Sequence, residues 1–219
     1  NGKTLGKEEQ PLVEKLLEIS ALCNNAKIEP PSDKNRLWGI IGDPTDGALL
    51  VAALKYGLNV QSMNMQKPIM RMIPFDSERK RMTTAHKFDN KILAYAKGAP
   101  RSILSICDKI MVDDGVEDLT EDHLRSVETK IREFANEGLR VIALAYRELP
   151  QNNHFDVKDV ERNMILVGLA AMKDPPRPEV KEAVRRAKEA GIRTIIITGD
   201  YGPTAQAIAQ EVSIVKPDC

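Results

Sequence analysis

The stretch that decides the fold runs from Ile69 to Pro100 and reads IMRMIPFDSERKRMTTAHKFDNKILAYAKGAP. It holds three short runs rich in apolar and β-branched residues, Ile69 to Phe75, Met82 to His86 and Ile92 to Ala96, a composition that suits a pleated, half-buried surface. Asp89-Asn90 between the last two supplies turn chemistry, so the three runs predict an antiparallel meander. Pro100 then opens a short helix, predicted from Ala99 to Cys107.

Toward the N-terminus, Leu12, Leu16, Ile19 and Leu22 recur at helical spacing and predict a helix from Pro11 to about Ala26. A Pro- and charge-rich segment from Glu29 to Asn35 reads as a linker. It leads to Gly42-Asp-Pro-Thr-Asp-Gly47, a complete helix start with Asp43 as cap, Pro44 at the first position and Asp46 in the first turn. Gly57 stops that helix. Toward the C-terminus, Thr120 caps a helix whose Leu124, Val127, Ile131 and Phe134 form one apolar stripe, with Gly138 closing it. Strands at Leu139 to Tyr146 and Ile165 to Met172 follow.

Beyond Asp174 the grammar changes. Pro178 to Ala190 reads as an amphipathic helix stopped by Gly191, Arg193 to Thr198 as an apolar strand, and Pro203 to Val212 as another helix. Helix, buried strand, helix belongs to doubly wound α/β folds, yet one strand and two helices cannot cover both faces of a parallel sheet. This portion is therefore expected to be a piece of a domain.

Composition narrows the function. With 32 Lys+Arg against 32 Asp+Glu the formal charge is zero, and only 4% of residues are aromatic, so no basic, stacking-lined surface is available and nucleic acid is excluded as the expected partner. The longest apolar runs, Ile165 to Met172 and Ile195 to Ile197, fall short of the roughly 18–20 residues of a membrane span. There is no apolar leader near Asn1, and Cys23, Cys107 and Cys219 are too scattered for a disulfide framework. Those cysteines and His86, His123 and His154 show no metal spacing, so no metal site is expected. A cytosolic compartment is the reading.

Several motifs carry chemistry, each beside a plainer account. Thr198-Gly199-Asp200 ends a strand where a helix is about to begin, the place where α/β sheets bind phosphate-like groups; an ordinary connection fits as well. Lys97-Gly98-Ala99-Pro100 points a cation and free N–H groups at one spot, or is a solvated lysine at a turn. Phe75 offers an aromatic face beside Asp76-Ser-Glu-Arg-Lys-Arg81, or is a core phenylalanine. Arg140 after the Gly138 stop is a ligand candidate or a surface arginine. Asp174, Pro175, Pro176 and Arg177 form an extended, semi-rigid hinge or a plain linker.

Taken together and in order, GDPTDGALL, PFDSERKRM, AKGAP, GLRVIALAYR, MKDPPR and IITGD resemble the cytosolic catalytic portion of P-type cation-transporting ATPases, closest to the type II subfamily that includes calcium pumps. The resemblance implies an α/β chain in two parts. Residues 1–174 would be an α+β nucleotide-binding domain with an antiparallel sheet and flanking helices. Residues 175–219 would be an incomplete phosphorylation domain, a fragment of a haloacid-dehalogenase-like Rossmann fold. It implies ATP or ADP as ligand, with Mg2+ in the full enzyme, and the remaining phosphorylation, actuator and transmembrane domains of the same pump as partners, at the cytoplasmic face of a membrane.

By resemblance, Phe75 stacks on adenine, Asp46 stands where a glutamate usually contacts the base, and Lys97 and Gly98 line the nucleotide pocket. Lys80 matches a lysine near the nucleotide, and Arg140 matches one that reaches the phosphates. Ser77 stands where calcium pumps often carry a phosphate-contacting arginine, so that contact is lost unless Arg79 or Arg81 substitutes. Thr198, Gly199 and Asp200 match the loop that helps hold the γ-phosphate. The family's DKTG and GDGxND motifs do not occur in the chain. The expectation is of an excised piece that binds nucleotide without turning it over, because phosphoryl transfer depends on those parts. A haloacid-dehalogenase-like phosphatase fragment and a non-catalytic regulatory module are the rival readings.

Overall fold

A computed structural model describes residues 10–32, 36–113, 115–151, 154–173, 176–198 and 202–215. Its elements in chain order are α1 (Gln10–Leu22), β1 (Lys27–Glu29), β2 (Gly39–Ile41), α2 (Pro44–Tyr56), α3 (Val60–Gln66), β3 (Ile69–Asp76), β4 (Arg81–Phe88), β5 (Lys91–Gly98), α4 (Pro100–Leu104), β6 (Cys107–Val112), β7 (Gly115–Asp118), α5 (Glu121–Asn136), β8 (Arg140–Leu149), α6 (Val157–Val160), β9 (Met164–Met172), α7 (Pro178–Glu189) and α8 (Gly202–Glu211).

The meander forms as its sequence predicts. Strands β3, β4 and β5 pair antiparallel, and the β4–β5 hairpin turns over Asp89-Asn90 between the Phe88 and Lys91 partners. Asp89 takes φ 51°, a left-handed conformation that Asp and Asn tolerate better than most side chains. The sheet then continues as β3-β4-β5-β8-β9-β6-β7, with β5–β8 antiparallel and β6–β9 parallel. Strands β6 and β7 correct the sequence reading: the helix expected to reach Cys107 ends at Leu104, and Cys107 begins a strand. The expected linker also shortens, because Lys27–Glu29 pairs with Gly39–Ile41 as a two-stranded ribbon. Just before β2, Trp38 is 69% exposed, while Ile40 on β2 reaches back onto Gly47.

Caps behave as their residue types dictate. The Asp43 side chain accepts from the Thr45 N–H at the start of α2, and Gly57 ends the helix at φ 101°. Thr120 and His123 close a reciprocal capping box at the start of α5, so a histidine takes the place usually given to Glu or Gln.

The described chain divides into two compact units. One holds residues up to 119 together with 142–170; the other holds 120–141 and 171 onward. In the first, α1 lies on the sheet, where Ile19, Leu22 and Cys23 pack with Met82, Leu93, Tyr95, Leu144 and Val167. A second cluster of Leu17, Ala21, Leu50 and Ala53 joins α1 to α2. In the second unit α5 packs on α8, the Thr204 hydroxyl donates to the Leu139 carbonyl, and Lys173 pairs with Glu211 at 3.0 Å. There the expected strand Arg193 to Thr198 does not form: the run is irregular, with Ile195 and Ile197 69% and 95% exposed. No described strand pairs with this run, and a strand needs a ladder partner for its backbone groups.

Candidate functional site

Register brings most of the predicted site residues of the first unit to one end of three adjacent strands. Asp76 pairs with Arg81, Arg81 with Gly98, and Met82 with Lys97. Phe75, Ser77, Lys80, Lys97 and Gly98 therefore share that end of the sheet. Lys97 then reaches Asp46 in the first turn of α2, with Nζ 2.6 Å from Oδ1.

Strand β3 is the edge of the sheet, the place where Pro74 is tolerated because its missing N–H breaks no interior ladder. The ladder is irregular between Ile73 and Asp76. Phe75 inside this irregularity is 63% exposed, whereas Ile73 is only 6% exposed. A core phenylalanine is thus not what the structure shows. An uncovered aromatic face stands at the site instead.

The turn after Phe75 is built by Asp76, whose Oδ1 accepts from the backbone N–H groups of Glu78 and Arg79 at 3.0 and 2.8 Å. Those donors, the Arg79 N–H foremost, hold its carboxyl below the usual carboxylate range. Ser77 and Lys80 are exposed on this turn. Lys80 sits at φ 52°, and its carbonyl accepts from the Ala99 N–H at 2.9 Å. Gly98 lies directly against it: a Cβ there would be 2.4 Å from the Lys80 carbonyl oxygen and 2.7 Å from Arg81 Cα. The glycine is thereby required by strand-to-turn contact.

Lys97 is 5% exposed, so the plain solvated-lysine account does not hold. Its partner Asp46 is held on three sides: Oδ1 by Lys97, Oδ2 by the Asn25 N–H at 3.1 Å, and its carbonyl by the Asn24 amide at 2.8 Å. Cys23 lies beneath, fully buried, its thiol donating weakly to the Met82 carbonyl at 3.6 Å. Burial pushes that thiol up to about 11, against the opposing pull of the Lys97 charge.

Arg79 and Arg81 are the candidates to stand in for the phosphate arginine missing at Ser77. Both guanidiniums turn to Glu161, at 2.5 and 2.7 Å. Glu161 is 5% exposed and also accepts from the Thr83 hydroxyl at 2.8 Å. This acid, at the end of α6, is a residue that sequence reasoning missed. A signal was present in the closely spaced Arg79 and Arg81, which demand anionic partners when buried.

Arg140 begins β8, is exposed, and falls in the second unit. Thr198 and Arg177 are exposed, and Pro176 is half-buried. Gly199, Asp200, Asp174 and Pro175 lie outside the described residues. Among the described residues no cluster of three or more His, Cys, Asp or Glu side chains is placed to hold a metal, and no helix is long and apolar enough to cross a membrane.

A mixed sheet of this order, flanked by helices, with an exposed aromatic and a buried Lys–Asp pair toward one end, defines an α/β domain. Residues 12–179 match the family model described as "P-type ATPase, cytoplasmic domain N", and the chain belongs to that family. It is 38% identical over 93% of its length to the cation-transporting ATPase pma1 of Synechocystis, covering 22% of that relative. It is 34% identical over 98% of its length to a calcium-transporting ATPase of Bacillus subtilis, covering 24% of it. It is 35% identical over 95% of its length to the plasma membrane-type calcium-transporting ATPase 10 of Oryza sativa, covering 20% of it. The chain thus spans about a fifth to a quarter of the length of these curated relatives.

Proposed function

We propose that this chain is the ATP-binding portion of a cation-transporting P-type ATPase, with Phe75 as the adenine platform. The observation that carries the reading is the 63% exposure of Phe75 on a bulged sheet edge, since a π-face accepts a base without a hydrogen-bond code. The donor set fits the rest of the ligand. Lys80 and Ser77 offer a cation and a hydroxyl on the exposed turn, and Lys97 with Asp46 offers a polar, nearly dry wall where contacts with a base edge gain strength.

In this reading the chain binds and orients the nucleotide, and the phosphate is passed to an aspartate in another part of the same pump. Arg140 and Thr198 to Asp200 serve the phosphate end. Residues 1–174 act as the nucleotide part and 175–219 as part of the phosphorylation domain, articulated at Asp174 to Arg177. Mg2+ bound with the triphosphate would supply charge neutralisation to that transfer. Calcium as the transported cation follows the printed names of two of these relatives, and the transmembrane and actuator domains of the same pump, at the cytoplasmic face of a membrane, are the partners in this reading.

The test is an ATP titration followed by amide NMR, with ADP, AMP and GTP as competitors. Saturable shifts at Phe75, Ser77, Lys80 and Lys97 that vanish in Phe75→Ala are expected. No response at millimolar ATP overturns the reading.

A further inference from the structure

The acid that sequence reasoning missed stands in a definite relation to the binding end. Glu161 places one carboxylate oxygen on Arg79 Nη1 and Thr83 Oγ1 and the other on Arg81 Nε. Each of these contacts joins residues at least 78 positions apart in sequence. Arg79 does not stop at Glu161: its Nη2 donates to the Pro74 carbonyl at 2.8 Å, the peptide group directly before Phe75. Arg81 likewise continues, with Nη1 donating to the Ser102 hydroxyl at 3.0 Å, while that hydroxyl donates to the Arg79 carbonyl. The two arms of one carboxylate therefore end on the two flanks of the Asp76 to Lys80 turn.

Glu161 is itself fixed from behind. Its N–H donates to the Val157 carbonyl at 2.8 Å, and Arg147 on β8 donates to the carbonyls of Asp159 and Arg162 at 3.2 and 2.5 Å. The acid thus sits on a short segment pinned to the sheet. Removing such a buried carboxylate leaves Arg81 without its counter-charge and Arg79 with only Asp76, 3.9 Å from its Nε, so that both guanidiniums reorient.

We propose that Glu161 is the positioning residue of the nucleotide site: through Arg79 it fixes the peptide that presents Phe75, and through Arg81 it fixes the turn that presents Lys80. The proposal rests on the ATP reading above. Glu161 touches no nucleotide in this account and acts only through the turn.

The experiment compares Glu161→Gln, Arg79→Gln and Thr83→Val with the unaltered chain, measuring ATP and adenosine affinity by calorimetry and stability by urea unfolding. Thr83→Val removes a Glu161 contact that does not lead to the turn, and so separates positioning from general loosening. Glu161→Gln and Arg79→Gln are expected to weaken ATP binding by about tenfold, the size of one charge-assisted contact. Thr83→Val is expected to lose stability while keeping its ATP affinity within about twofold, inside the additivity error of unconnected sites. In a Phe75→Ala background, Glu161→Gln is expected to add nothing to the loss of adenosine binding. Should Glu161→Gln fail to fold, Arg79→Gln carries the same expectation, because the Arg81–Glu161 pair remains.

The proposal is overturned if folded Glu161→Gln or Arg79→Gln binds ATP as the unaltered chain does. It is equally overturned if all three variants lose affinity in proportion to stability, or if the Glu161→Gln effect on adenosine persists without Phe75. An unaltered chain that binds no ATP refutes the nucleotide reading itself, and the proposal with it; binding by the unaltered chain together with indifferent variants refutes the proposal alone.

Discussion

The Lys97 ammonium lies 2.6 Å from the Asp46 carboxylate, with side chains only 6% and 13% exposed. A strand of the sheet is thereby tied to the first turn of α2 through two residues 51 positions apart. Breaking such a pair from one side strands the other charge. Lys97→Met is expected to cost about 3 kcal/mol, read by urea unfolding, and Asp46→Asn in the same chain should recover part of that loss.

Phe75 and Ile73 are neighbours on β3 with opposite fates, 63% and 6% exposed. Ile73→Ala should lose about 2–4 kcal/mol of stability, as buried aliphatic truncations do. Phe75→Ala should stay within about 0.5 kcal/mol, the usual range of surface changes, while ATP affinity falls at least about fivefold if the ring stacks on the base. A thermal melt and a calorimetric titration of the two variants separate these effects.

Gly98→Ala forces a methyl group to within 2.4 Å of the Lys80 carbonyl oxygen. Backbone lies on the other side of the contact, so no flexible tip can move away. A loss of about 2 kcal/mol or more is expected, with the largest amide shifts at Lys80, Arg81 and Ala99.

His86 is 1% exposed, and burial lowers its pKa from 6.5. Its Nδ1 lies 2.8 Å from the Lys67 carbonyl, which can only accept, so Nδ1 carries the proton and Nε2 accepts from the Thr84 hydroxyl. The unfolded chain then binds a proton more readily than the folded one. Stability is full above the unfolded value of 6.5 and declines as pH falls below it. Glu18 adds a lower window: burial raises its pKa, but hydrogen bonds from Lys67, Tyr95 and Lys15 outweigh this and bring it below 4.5. Its contribution is present above 4.5 and is lost as pH falls through the folded value. Urea midpoints measured from pH 7 downward should fall in both windows, and His86→Gln should flatten only the upper one.

Cys23 is fully buried with its thiol raised to about 11, and alkylation needs an accessible thiolate. Maleimide at neutral pH should leave Cys23 unlabelled in the folded chain and label it in urea, which peptide mass spectrometry resolves.

Local chemistry was legible in the sequence, and distant pairing was not. Asp43, Pro44 and Gly57 bracketed α2, Asp89-Asn90 located a hairpin, and Thr120 with Gly138 bounded the α5 helix, because caps and turns act through near neighbours. Strands β1 and β2 escaped because three residues, Lys27–Glu29, carry no period. Strand β6 escaped because Cys107–Val112 owes its place to parallel pairing with β9, far along the chain. Motif order singled out Phe75, Lys97 and Asp46 but did not show that Lys97 and Asp46 bond to each other. Nor did it show that Arg79 and Arg81 are already engaged by an acid 80 or more residues away. Ion-pair partners at that separation leave no local pattern.

Just before β2 stands the chain's single tryptophan, Trp38, 69% exposed. Its indole is already wet in the native state, so emission should begin red-shifted, and iodide should quench it before any denaturant is added. Unfolding of the sheet will barely alter this signal. Ile40, two positions along, rests on Gly47, the residue after Asp46. The native optical label therefore watches the strap beside that carboxylate and is nearly blind to the core.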